Sequence, residues 1–346
     1  MCSSDLTLDL NSFVIGNAIS NNGGTILNGT ISGSVTANSG TTSIDTGLAA
    51  GSSLVVGSGA TAIFGNGSFV SGSASILNNG GLIVDRTTNA LMQLAAPISG
   101  SGGLTVSGGV VDLSGVNDYT GLTQVSNLGS LLKVNGSIAG DVQVGSGAML
   151  GGSGAIAGVL SGAGIVSPGN SPGILTASQF DPTLGLGAAF EFTALNPVYG
   201  SPTASLNDVL RLTGSSAFAS NLTSSNAIDI YFNVDSIKMG DIFEGGFFTG
   251  LSASDLMLAV QNAHFNYWVK DSGGLTLFGG NHYSSLFNVP GITSVTVQTA
   301  ARTADFGGGN ITGSVTQFVI VPEPGALALA GIGIAAAAYA YRRRRS

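Results

Sequence analysis

The amino-acid sequence predicts an all-β protein: a β-solenoid, followed by a β-rich C-terminal cap and one C-terminal transmembrane helix. Three observations carry this. Short β-prone phrases recur over residues 13–176, each closed by a Gly, Asn or Ser turn, as in Ser53-Leu54-Val55-Val56 and Gly81-Leu82-Ile83-Val84. Glycine supplies 55 of the 346 residues, far above the usual share of about 7%. The good helix formers Glu and Lys number only three each.

The first six residues, Met1-Cys2-Ser3-Ser4-Asp5-Leu6, carry neither the basic region nor the apolar run of an export signal. The true N-terminus is therefore expected upstream, with Cys-Ser-Ser-Asp-Leu as a translated sequencing adapter. Residues 1–177 are expected to form the repeat region. Strand centres recur about every seven residues, so three strands make a coil of roughly 20. About eight such coils at ~4.8 Å each give a rod near 40 Å long. Asn78-Asn79-Gly80-Gly81 and Gly65-Asn66-Gly67 are turn signals, because Asn and Gly tolerate positive φ. Apolar residues alternate with Ser and Thr, so a stacked coil can bury one set against its neighbours.

Within this region Leu113-Ser114-Gly115-Val116-Asn117-Asp118-Tyr119-Thr120-Gly121 resembles the autotransporter-associated β-helix repeat. The flanking phrases Gly102–Val106, Leu132–Gly136, Gly145–Gly154 and Ser167-Pro168-Gly169-Asn170-Ser171-Pro172-Gly173 share its style. Asp118 departs from the small or polar residue usual there. The resemblance covers about 75 residues and implies a right-handed β-helix displayed outside the cell. Autotransporters end in a membrane β-barrel of roughly ten-residue alternating strands, whereas this chain ends in four arginines and Ser346.

Residues 178–320 are expected to form a β-rich, sandwich-like cap. Aromatics become denser there, and Ala227–Val234, Val295–Val297 and Phe318–Ile320 read as strands. A cap would cover the open end of the stack, otherwise an aggregating edge. The piece Asn207-Asp208-Val209-Leu210-Arg211-Leu212-Thr213-Gly214 resembles the region after such repeats in other sorted surface proteins. Leu251–Val260 suits either one or two helical turns or a loop and strand.

The last segment, residues 321–346, carries the sharpest signal. Val321-Pro322-Glu323-Pro324 precedes an uncharged run, GALALAGIGIAAAAYAY over residues 325–341, and then Arg342, Arg343, Arg344 and Arg345. A helix of that run would be roughly 26 Å long, at the short end of what spans a bilayer core of about 30 Å. The arginines place the C-terminus in the cytoplasm and the body outside. The order of these parts resembles the PEP-CTERM sorting signal of Gram-negative bacteria. That resemblance implies an exosortase as processing partner. It also implies an inner-membrane-anchored precursor and a mature form at the cell surface or in the extracellular matrix.

Charge narrows function. Residues 1–320 carry 17 acidic and 6 basic side chains, a balance that repels phosphate backbones, so no nucleic-acid partner is expected. Cys2 is the one cysteine, which excludes cysteine-rich zinc modules. His264 and His282 stand eighteen residues apart, and a site pairing them with Asp255 or Asp271 is the minor reading beside surface-strand positions. Calcium at Asp229, Asp235, Asp241 and Glu244 is likewise secondary. No cofactor, metal or catalytic residue is expected. In residues 13–176 the acids Asp45, Asp85, Asp112, Asp118 and Asp141, with Arg86 and Lys133, read as solvated turn or face residues.

The leading functional expectation is a non-catalytic surface or matrix protein, for adhesion or biofilm architecture, with extracellular polysaccharide as a candidate partner. The rival readings are a polysaccharide-active enzyme on the same scaffold and a carbohydrate-binding cap using Tyr267 and Trp268 as stacking platforms.

Overall fold

The computed structural model describes residues 7–321, except 89, 171, 196–206, 235–236, 239, 274, 278–280, 291, 293 and 306–309. Residues 1–6 and the tail from Pro322 to Ser346 lie outside the described residues. The adapter-like start, the helix expected over 325–341 and the terminal arginines therefore do too. Among the described residues, no helix is long and apolar enough to cross a membrane.

The body is a parallel β-solenoid of about nine turns. Its strands are short because each needs only one or two inward residues. In Gly81–Val84, Gly103–Val106, Val110–Leu113 and Leu131–Val134, the second and fourth side chains are buried and the others face outward. Each strand pairs with the equivalent strand one coil away. Phe64, Val84, Val106, Val125 and Val144 form one such buried ladder, with 19 to 22 residues between partners. This matches the coil length read from the sequence. Burying a side chain of this kind contributes roughly 1.5–3 kcal/mol, but only with a neighbouring coil on each side.

Three stacks of strands result. The first contains Ala60–Phe64, Gly81–Val84, Gly103–Val106, Thr123–Val125 and Val142–Val144. The second runs from Leu91–Leu94 through Val110–Leu113, Leu131–Val134, Met149–Gly152 and Ile165–Pro168. The third contains Ser34–Ala37, Ser53–Val56, Ser75–Asn78 and Ile98–Ser99.

Glycine makes the corners between stacks. A Cβ added to Gly102, Gly121, Gly140 or Gly158 would collide with or crowd the backbone carbonyl of Gly80, Gly102, Gly121 or Gly140 respectively. One corner is thus a continuous column of glycines across five coils, forced by the close approach of stacked backbones. At another corner Gly129 has φ +85° and open space around it, so there the backbone conformation and not contact selects glycine.

The Leu113–Gly121 phrase is a corner device. Asn117 is buried; its amide donates to the carbonyls of Gly115 (2.8 Å) and Ser137 (2.9 Å) and accepts from the Ile98 N–H (3.1 Å). One side chain therefore ties three successive coils. Tyr119 is fully buried, and its hydroxyl meets Thr123 Oγ1 at 2.6 Å. Asp118, the residue that departs from the family phrase, is exposed between them.

Ile174–Phe180 spans residue 177 and pairs both back to Ala155–Gly162 and onward to Val209–Leu212. The parallel ladder thus runs past that position. Beyond it the coils lengthen: Ala188 pairs with Ile228 and Ile228 with Phe265, 40 and 37 residues apart. A wider cross-section needs larger fillers, and phenylalanines supply them. Phe180, Phe190, Phe218 and Phe247 meet edge to face at centroid distances of 5.1–5.9 Å.

In these long coils the first stack gives way to a helix. After the isolated Phe180–Phe218 bridge, the Leu222 N–H bonds to the Ala259 carbonyl in helix Ala253–Val260. Of the two readings open for Leu251–Val260, the helix is the one formed. Ser252 caps it by accepting from the Asp255 N–H, and its hydroxyl donates to the Asp255 carboxylate. Antiparallel pairing then ends the stack. The hairpin Ser294–Asp305 and Asn310–Val321 docks on Ile242–Thr249, and Asn281–Ser285 pairs with His264–Asp271.

Candidate functional site

The second stack continues from the short coils into the long ones, alongside the parallel ladder through Ala155–Gly162, Ile174–Phe180, Val209–Leu212 and Ile242–Thr249. Gly187–Phe192, Ala227–Phe232 and His264–Asp271 extend it in parallel register. Its outward positions form two columns. One is aliphatic: Leu91, Val110, Leu131, Met149 and Ile165 are successive partners. The other, two residues along, is polar: Gln93, Asp112, Lys133, then Gly151 and Ser167.

Where these columns meet the long coils lies a pocket of about 370 Å³. Gly151 interrupts the polar column, and the missing side chain opens the floor. The Ser167–Asn170 turn folds back to form a wall, held by reciprocal bonds between Gly152 and Gly169 and by Asn170 Nδ2 donating to Asn135 Oδ1 at 2.7 Å. Lys133, Phe190, Glu191, Asp208 and Tyr231 complete the lining.

The polar groups are firmly held. Glu191 Oε1 accepts from Tyr283 Oη (2.9 Å) and from Asn233 Nδ2 (2.7 Å). Asp208 accepts from the backbone N–H of Gly173 and of Glu191, both at 2.8 Å. Burial lifts its carboxyl well above the usual 3.8; the two N–H donors oppose this and the nearby Glu191 adds to it. Asn207 fastens the neighbouring strands by accepting from Thr193 and Ala194 and donating to the Ala194 and Glu244 carbonyls. Tyr231 stacks on Trp268 at 6.1 Å with 13° between planes and meets Tyr283 edge to face at 5.1 Å. Burial, with the Asp229 charge beside it, raises its hydroxyl pKa.

Tyr267 and Trp268, read from sequence as stacking platforms, point to opposite faces of their strand. Tyr267 packs inward among Phe265, Phe287 and Phe318, and burial raises its hydroxyl pKa. Trp268 faces outward, and its indole donates to Asp229 Oδ1 at 3.2 Å. The aromatic partner of Trp268 is therefore Tyr231. Because adjacent strand positions diverge, a sequence pair cannot make one platform; residues one coil apart can.

The other candidates separate. Asp229 also accepts from Asn266, Asp241 accepts from the Lys238 N–H, and Glu244 is clamped by Arg302 and Gln317. Asp235 lies outside the described residues. Among the described residues, no group of three metal-ligating side chains converges. Asp271 and His282 are cross-strand partners, while Asp255 belongs to the helix cap and His264 is exposed opposite Ala227. Arg86, read from sequence as solvated, is buried, donating to the carbonyls of Gly65 and Ser68.

Sequence reasoning missed the pocket. Glu191 and Asp208 are 17 residues apart and converge only because a coil turns between them. The available signal was Glu191 itself, one of three glutamates, set in the apolar strand Gly187–Phe192.

The final strand ends at Val321, whose partner is Ser294, and the Pro322-Glu323-Pro324 phrase comes next in the chain with no intervening residue. A β-solenoid closed by an antiparallel hairpin, whose last strand runs into an apolar, arginine-ended tail, defines a class: an exported surface protein carrying a sorting signal. The family model described as the PEP-CTERM protein-sorting motif matches residues 321–345. The motif marks the chain for processing by an exosortase and for anchoring at the membrane. A comparison with curated proteins finds no match.

Proposed function

We propose that this chain is a non-catalytic structural protein of the Gram-negative cell surface or extracellular matrix, acting in adhesion or biofilm architecture in association with exopolysaccharide. The observation that carries the reading is the sorting motif joined without a spacer to the hairpin that closes the solenoid. Val321, Pro322, Glu323 and Pro324 present the motif, the 325–341 run anchors the precursor in the inner membrane, and Arg342 to Arg345 fix its orientation. The outward columns of the stack repeat coil after coil, which suits many weak contacts with a repetitive polymer. Cell fractionation with and without the exosortase tests this. A mature surface form lacking the tail is expected only when the enzyme is present, together with a loss of surface attachment when this gene is deleted. Equal surface display without the exosortase, or unchanged attachment after deletion, refutes it.

A further inference from the structure

We propose that the pocket between the short and long coils binds one sugar residue of a neutral glycan chain, with the rest of the chain lying along the adjoining outer face of the second stack. The inference rests on the reading of the protein as exopolysaccharide-associated and assigns it a site.

The pocket has the right size. About 370 Å³ falls within the range of small-molecule sites, roughly 300–1,000 Å³, and accommodates a monosaccharide. The lining has the dual character a sugar needs. A pyranose offers C–H groups on its ring faces and hydroxyls around its edge. Tyr231, locked between Trp268 and Tyr283, supplies aromatic surface. Glu191 and Ser167 supply acceptors, and Lys133 and Asn170 supply donors.

The groove argues for a chain over a free sugar. From Ile165 back to Leu91 the aliphatic column spans four coil intervals of ~4.8 Å, about 19 Å in all. Each interval is close to the rise per sugar of an extended polysaccharide. The polar column runs beside it, so each successive ring would meet an apolar strip and a polar strip. A peptide fits this surface less well. The backbone N–H and C=O groups of these strands already pair with the coils above and below, so this face offers no edge for strand addition. Charge selects neutral glycans. Glu191 lines the pocket beside the cation Lys133, and Lys133 has Asp112 next to it in register. A uronic acid would add a further carboxylate to this acidic surround.

The chain also contains its own reporter. Trp268 is the one tryptophan and stacks directly on the pocket ring Tyr231. The test is a titration of the full chain in detergent micelles with cellohexaose, chitohexaose, mannohexaose and, as the anionic comparator, hexagalacturonate, monitoring Trp268 emission with calorimetry in parallel. At least one neutral hexasaccharide is expected to shift the emission saturably. Lys133→Ala, on an outward position, is expected to weaken that binding at least threefold, and Glu191→Gln at least tenfold. Both variants are checked for unchanged circular dichroism and urea midpoint. Saturable binding unaltered in Lys133→Ala, which leaves the core untouched, overturns the pocket assignment while leaving the polysaccharide association standing. Binding of hexagalacturonate alone overturns the neutral-glycan assignment. No binding of any of the four overturns the inference, whereas failure of surface delivery in the fractionation experiment bears on the sorting reading alone.

Discussion

Asn117 is a sharp test of how the coils are joined. Asn117→Ala removes the acceptor for the Ile98 N–H and one donor to the Ser137 carbonyl, while the Gly115 carbonyl keeps the Ser137 N–H at 3.1 Å. A buried N–H left without a partner costs about 1–3 kcal/mol, and losing a net hydrogen bond about 1 more. The expected destabilisation is therefore ~3 kcal/mol. With a urea m-value of ~3 kcal/mol per molar, the midpoint falls by about 1 M. Asp118→Asn, on the exposed neighbour, should stay within about 0.5 kcal/mol. Asn117→Asp adds a pH signature. The introduced carboxyl faces two carbonyls, so its folded pKa rises above the unfolded value of about 3.9. Below that pH both states are protonated and the penalty is smallest. It then grows by about 1.4 kcal/mol per pH unit until the folded pKa is passed. A wild-type midpoint in Asn117→Ala, or an Asn117→Asp variant that gains stability as pH rises, would show that Asn117 does not tie the coils.

Three further outcomes are expected. Tyr119→Phe removes the hydroxyl bonded to Thr123 and should cost about 1 kcal/mol, read as a lower urea midpoint; burial holds this hydroxyl neutral, with its pKa pushed up to about 12. Arg302→Met leaves the buried Glu244 carboxylate, bonded at 2.8 Å to the guanidinium, with Gln317 as its remaining side-chain partner. Because Arg302 is 42% exposed, the expected loss is ~1–2 kcal/mol rather than the roughly 3–5 of a fully buried pair, and Glu244→Gln in the same background should recover part of it. For Asp208 the folded pKa is raised, so stability is fullest below about pH 3.8 and falls as pH rises toward the folded pKa. A urea midpoint measured from about pH 3.5 upward should decline over that window in the wild type and decline less in Asp208→Asn.

The solenoid is legible in the sequence because its physics is local. One strand with two inward apolar residues, closed by a turn, specifies one side of a coil without reference to anything distant. The ladder Phe64, Val84, Val106, Val125, Val144 can be aligned by period alone. The sorting tail is legible for a different reason: its order of Pro-Glu-Pro, apolar run and arginines is contiguous in sequence. What stays hidden depends on register across coils. Tyr231 and Trp268 lie 37 residues apart yet stack, whereas Tyr267 and Trp268 are neighbours that diverge. The lengthening of the coils after Phe192 is hidden because an insertion at a corner leaves the strand pattern on either side unchanged.

Corner insertion also explains why chemistry gathers on the second stack. A parallel ladder tolerates extra residues only where chains turn, because a one-residue shift within a face would send every buried side chain outward. The long coils obey this: their added residues enter between paired strands, after Phe192, after Leu212 and after Phe232, and the helix Ala253–Val260 occupies the side where the first stack lapses. The second stack keeps both its short-coil and its long-coil strands in one register, with no helix or hairpin interrupting its parallel ladder from Leu91 to Val269. Its outward face can therefore carry polar residues with long reach, since the inward face already secures the core. Glu191 and Asp229 sit on outward positions between buried neighbours, Phe190 and Phe192 for the one, Ile228 and Ile230 for the other. The same alternation that buries the phenylalanines presents the carboxylates, so changing the pocket by mutation on odd positions of these strands should leave the fold intact, and changing the fold requires the even ones.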